Sequence, residues 1–138
     1  ALGQARSRNL PVEHGGYGCP VLIEGKRDRV TLIELGFQGP IELVNRGWPL
    51  EQLVAYLFET YGTRNETDNG PSVILLMDWD RTGGRLQRKL ARKMESLDMK
   101  IDSGTRKVLL ECMKPESRTV EGLKSLATEL ISEMMELD

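Results

Sequence analysis

Three acidic residues stand out for their types and spacing. Asp78 and Asp80, one residue apart, end the apolar run 72–77, and a glycine pair, Gly83 and Gly84, follows. Glu24, followed by Gly25, Lys26 and Asp28, ends a second apolar run at 20–23. A run without polar alternation suits a strand buried on both faces, and parallel sheets gather functional side chains at the carboxyl ends of their strands. If the extended conformation persists, Asp78 and Asp80 point to one side and Trp79 to the other. Two carboxylates ~4 Å apart repel by about 4 kcal/mol at an effective dielectric near 20. Glu24 would add to that repulsion. Such a cluster is tenable when a divalent cation neutralises it or when one acid keeps its proton. Hard oxygen donors without histidine or thiolate favour Mg²⁺, with Mn²⁺ as a substitute. Magnesium retains waters and completes its shell with substrate phosphates, so the chemistry is phosphoryl transfer. The plainer alternative is that each acid caps a helix or pairs with an arginine.

The elements that must position these acids alternate along the chain. Residues 1–19 are polar and glycine-rich around Gly15, Gly16 and Gly18, and are expected to be an arm or loop with at most one short helical turn. A short strand over 20–25 leads to a helix over 26–35, with Val30, Leu32 and Ile33 to pack and Gly36 to stop it. A second strand over 41–44 is closed by Asn45, Arg46 and Gly47. Leu50, Leu53, Val54, Leu57, Phe58 and Tyr61 recur at helical spacing, with Pro49 suited to the first turn. After a polar loop over 62–71 comes the strand that ends at Asp78. The next helix carries Leu86, Leu90, Met94 and Leu97 on one stripe and Arg85, Arg88 and Arg92 on another. Val108 to Cys112 reads as a fourth strand. A last helix is expected from about residue 120, capped by Thr119, with Leu123, Ala127, Leu130, Ile131 and Met134 as its core face. This alternation predicts an α/β fold with a mostly parallel sheet. Right-handed crossovers bring the ends of the first and third strands to the same edge, so Glu24 can join the aspartates.

Bulk properties fit that picture. The 138 residues suit one domain, 39% hydrophobic and 29% charged, and no apolar run approaches the roughly 20 residues of a membrane helix. No secretory signal pattern is present, and a start at Ala1 rather than Met suggests a processed or trimmed chain. Cys19 and Cys112 read as buried free thiols of a cytoplasmic protein, and the lone His14 argues against zinc. The net charge of -2 does not advertise nucleic acid. Its distribution does more: residues 81–93 carry Arg81, Arg85, Arg88, Lys89, Arg92 and Lys93 and no acid. That block either contacts phosphates or is a solvated helix face.

The sequence Val21-Leu22-Ile23-Glu24-Gly25-Lys26-Arg27-Asp28, followed downstream by Ile74-Leu75-Leu76-Met77-Asp78-Trp79-Asp80-Arg81-Thr82-Gly83, resembles the Toprim domain of topoisomerases, bacterial-type primases, OLD-family nucleases and the 5S ribosomal RNA maturase. The resemblance spans roughly residues 20–112 and implies a stand-alone protein of the small archaeal type. Its fold would be a Rossmann-like three-layer sandwich of about four mostly parallel strands flanked by helices, with residues 1–19 as an arm and 20–138 as one domain including the last helix. It implies that Glu24 is a general acid or base, that Asp78 and Asp80 bind metal, and that Gly25 and Gly83 allow tight turns beside the site. The Glu-Gly-Lys-x-Asp form is closest to the nuclease and maturase branches, which places Lys26 with Glu24 in the catalytic group and Asp28 beside it.

The expected function is therefore Mg²⁺-dependent cleavage of RNA or DNA phosphodiesters. Asp78, Asp80 and Glu24 would hold the metal, while Lys26, Arg81, Arg85, Arg88 and the helix start at Gly83 would receive phosphates. The alternative is a non-catalytic or primase-like nucleic-acid-binding module within a larger RNA-processing or replication assembly, or a homodimer, with no membrane partner. Two rivals use the same residues. Asp78-x-Asp80-x-Thr82 also fits the nucleophile motif of haloacid-dehalogenase-like phosphatases, but it arrives late in the chain and leaves Glu24 unexplained. A nucleotide-hydrolase reading lacks its phosphate-binding Gly-x-x-x-x-Gly-Lys loop.

Overall fold

The computed structural model describes residues 2–78 and 80–113. Four parallel strands, β1 (Val21–Ile23), β2 (Ile41–Leu43), β3 (Val73–Leu75) and β4 (Ile101–Asp102), form one sheet in the order β2-β1-β3-β4. Val21 lies between Ile41 and Ile74, and Val73 stands opposite Ile101. The connecting helices are α1 (Leu2–Asn9), α2 (Lys26–Glu34), α3 (Leu50–Tyr61), α4 (Arg81–Glu95) and α5 (Gly104–Met113). The β1-to-β2 crossover runs one way along the sheet, and the β2-to-β3 and β3-to-β4 crossovers run the other. Right-handedness therefore puts α2 on one face and α3 and α4 on the opposite one. The result is the Rossmann-like three-layer arrangement read from the alternating pattern. Among the described residues no helix is long and apolar enough to cross a membrane.

The core follows the pleat. Leu22, Val73, Leu75 and Met77 meet Leu53, Val54, Leu57, Leu90 and Met94 from α3 and α4 in one buried cluster. On α4, Leu86 is only partly buried, and Leu97, just past the helix, is exposed. The α2 face differs from expectation. Leu32 is buried, but Val30 and Ile33 are about half exposed, and the helix instead turns Asp28, Thr31 and Leu32 inward. The buried stripe 28, 31, 32, 35 keeps helical spacing, and polar side chains occupy half of it. Gly36 ends the helix at φ +97, a left-handed turn that a side chain would strain.

Both ends of the described chain depart from the sequence reading. Residues 2–9 form a two-turn helix rather than an irregular arm, and a 3-10 turn follows at Val12–His14. Few apolar residues announce α1 because a buried amide anchors it. Asn9 Nδ2 donates to the carbonyls of Cys19 and Pro40 at 2.9 Å each, and Asn9 Oδ1 accepts from Gly39 N at 2.9 Å. The fourth strand is Ile101–Asp102, and Val108 to Cys112 belong to α5. A short apolar run does not separate strand from buried helix by periodicity. Here Asp102 decides, its carboxylate accepting from Thr105 N at 3.0 Å and Thr105 Oγ1 at 2.7 Å to start a helix. Trp79, the last helix expected from residue 120 and the side chain of Cys112 lie outside the described residues.

Candidate functional site

Strand order reverses direction between β1 and β3, so the carboxyl ends of those two neighbours bound the crevice where open α/β sheets bind ligands. Glu24 follows β1 and Asp78 follows β3, and the two meet there. Both carboxyl groups line the same cleft, and crowding of acids there favours a proton on Glu24. Burial, the contact with Asp78, and the charges of Asp80 and Asp28 together push Glu24 up to about 8. Asp78 Oδ1 is buried with no hydrogen-bond partner. Among the described residues this carboxylate oxygen is under-satisfied beside a second carboxyl, and a cation or donor would relieve it.

Around the pair lies an open cleft of about 390 Å³ lined by Glu24, Gly25, Lys26, Arg27, Asp28, Asn45 and Asp78. Glu24, Lys26, Asp28, Gly25 and Asp78 are thus brought together as the motif spacing predicts. Asp28 has a second task, accepting from Gly25 N at 3.3 Å to start α2 beside Glu24. Asn45, which the sequence reading used only to close β2, joins the cleft through its backbone N, which donates to Glu24 O at 3.0 Å.

Asp80 sits differently. β3 ends at Leu75, so strand alternation no longer governs residue 80, and its carboxylate turns to cap α4, accepting from Gly83 N at 2.6 Å. It acts on Glu24 and Arg106 through its charge. Arg81, Arg85 and Arg88 ride exposed on the same helix. Gly83 is required by a close approach: a Cβ there would stand 1.9 Å from Asp78 O, so only glycine lets α4 begin against the strand end.

Two side chains missed from the sequence hold Asp78 in place. β4 pairs only with Val73 and Ile74, leaving the backbone beyond them without a strand neighbour on that side. Gln87, buried on α4, replaces the missing ladder by donating Nε2 to Leu75 O at 3.1 Å and accepting from Met77 N at 3.2 Å. Arg106 of α5 donates Nε to Met77 O at 3.1 Å and Nη2 to Asp78 O at 2.7 Å. Gln87 interrupts the apolar stripe of α4 one residue after Leu86, a polar residue at an inward position, and that signal could have found it. Arg106 had none.

The donor set tests a cation directly. Asp78, with its orphaned oxygen, and Glu24 are hard oxygen donors suited to Mg²⁺, which can be held by one or two carboxylates with waters and substrate phosphates. Among the described residues no three His, Cys, Asp or Glu side chains are arranged to hold a metal ion by themselves. The residues fit an open site and not a closed cage.

The chain is 35% identical over 112 residues to a UPF0292 protein of Thermococcus onnurineus, a match covering 81% of this chain and 76% of that one. It belongs to the UPF0292 family. UPF0292 proteins of Methanosarcina barkeri (30% identity, 86% of this chain and 76% of that one) and Pyrococcus horikoshii (34% identity, 77% and 72%) are similar along comparable lengths. A solved structure of a protein from Aquifex aeolicus shares the fold, with a TM-score of 0.61 at 20% identity over 87% of this chain and 94% of that one. No protein-family model matches the chain. The chemistry of the switch-point edge rests on its own residues.

Proposed function

We propose that this UPF0292 chain is a Toprim-like, Mg²⁺-dependent phosphoryl transferase that cleaves RNA or DNA phosphodiesters. One observation carries the reading: Glu24 and Asp78, distant in sequence, line one cleft at the switch point of the sheet, and among the described residues Asp78 Oδ1 is buried there without a partner. Asp78 would hold the ion, with Glu24 beside it and Asp80 adding its charge from the start of α4; when bound, Mg²⁺ would supply positive charge against phosphoryl oxygens. Glu24, beside the ion, would serve as the general acid that gives a proton to the departing oxygen. Lys26 at the cleft and Arg81, Arg85 and Arg88 on α4 receive the flanking phosphates.

Labelled RNA and DNA incubated with and without Mg²⁺ test this. Cleavage is expected only with the ion, Mn²⁺ substituting. Turnover by the Asp78→Ala, Asp80→Ala double variant at the unmodified rate sinks the assignment. The capping bond of Asp80 favours a second reading, a nucleic-acid-binding module within a larger assembly, because that carboxylate is already engaged. Affinity for RNA or DNA without turnover under any divalent ion would select it.

A further inference from the structure

We propose that Arg88 and Arg106 form a two-guanidinium seat for a backbone phosphate of single-stranded nucleic acid, placed over Gly84 beside the acidic cleft. The inference rests on the nucleic-acid reading above and adds a residue and a subsite to it. Arg106 is nine-tenths buried, and its guanidinium is fixed by the carbonyls of Met77 and Asp78, so its remaining N–H groups are aimed before any ligand arrives. Arg88 folds back along α4 towards the amino end, the direction in which helical side chains lean. A Cβ added to Gly84 would stand 3.5 Å from Arg88 Nη1 and 3.6 Å from Arg106 Nη2. The two nitrogens are therefore no more than about 7 Å apart, the two distances laid end to end.

Like charges gathered this closely repel, and they gather in the first turns of a 15-residue helix whose amino end adds positive potential. Among the described residues neither guanidinium has an ion pair, whereas Arg8, Arg46 and Lys93 each do. Asp78, Asp80 and Glu24 act on Arg106 from a distance, and Arg88 opposes them. An anion between the two arginines satisfies both. A phosphate accepting hydrogen bonds of ~2.8 Å from each side spans a gap of this size. Both guanidinium groups flank the same point on the helix, at ordinary contact distance from where a Gly84 side chain would begin. The seat adjoins Asp78 through Arg106, so the phosphate it holds is a neighbour of the one at the cleft.

Binding of a fluorescent single-stranded oligonucleotide in EDTA, followed by anisotropy between about 50 and 200 mM salt, tests the seat without calling on turnover. Arg88→Gln is expected to weaken binding roughly 10-fold and to lower the slope of log affinity against log salt by about 0.7, one phosphate contact. Gly84→Ala puts a methyl into the seat while favouring the helix, so affinity should fall with no loss of melting temperature. Arg106→Lys keeps the charge but not the fork that grips two carbonyls and a phosphate, and should bind as poorly as Arg88→Gln. If Arg106→Lys does not fold, the other two variants still decide. Wild-type affinity and slope in both Arg88→Gln and Gly84→Ala would overturn the seat alone. A wild-type protein that binds no oligonucleotide either in EDTA or in Mg²⁺ would overturn the nucleic-acid reading with it.

Discussion

Replacing Glu24 by glutamine should make the fold more stable in mildly alkaline solution. In the native protein its carboxyl is raised from an ordinary 4.5 to about 8 by burial and by the neighbouring aspartates. Between those values the folded state binds more protons than the unfolded chain, so wild-type stability falls as pH rises through that window and levels off above it. The full interval corresponds to ~5 kcal/mol at ~1.4 kcal/mol per tenfold change in proton concentration. The group is only partly buried, so solvent screening cuts this to roughly 2 kcal/mol. Glutamine imitates the protonated acid at every pH. Urea unfolding of wild type and Glu24→Gln from pH 4 to 9 without divalent ions should give curves that coincide at the acid end and separate by roughly 2 kcal/mol at the other. That difference is about 4–8 °C in melting temperature for a domain of this size. Parallel curves would refute the reasoning, because they would mean that Glu24 titrates no differently folded and unfolded.

Gly83→Ala places a methyl within 1.9 Å of the Asp78 carbonyl and should cost about 3 kcal/mol in chemical denaturation, with the loss localised by hydrogen exchange to residues 76–84. Gln87→Leu fills the same volume but leaves Leu75 O and Met77 N without their partner. A loss of about 2–4 kcal/mol and faster exchange of the Met77 amide are expected. Glu42 accepts from Tyr56 and Tyr61 hydroxyls and from Arg46, which outweigh burial and hold its carboxyl below the usual range. Its contribution is present above the ordinary carboxylate pKa and lost as pH falls through the lowered one. A Glu42→Gln variant should be less stable at pH 7 by about 2 kcal/mol and less sensitive to acid, as followed by circular dichroism.

Where the apolar pattern and the packing agree, the sequence was enough. The run to Ile23 and the run to Met77 are buried throughout, and the stripe from Leu50 to Tyr61 buries Leu53, Val54 and Leu57 while Phe58 is exposed, so the edge bearing Glu24 and Asp78 could be foreseen. What escaped is held by polar atoms. Asn9, Asp102, Gln87 and Arg106 satisfy backbone groups many residues away, and hydropathy does not register such bonds. Val30 and Ile33 mislead in the other direction, apolar in type but turned outward because Asp28 and Thr31 take the inner face. The same competition explains Asp80. Proximity to Asp78 in sequence suggested a shared direction, but the amino end of α4 offers that carboxylate an N–H first.

The clasp of Arg106 on the carbonyls of Met77 and Asp78 also sets an order of events during synthesis. Strands and helices that emerge from the ribosome early can find one another, yet the loop bearing Asp78 has no final shape until α5 has been made. A nascent chain released short of that helix would carry the acids without the brace that aims them.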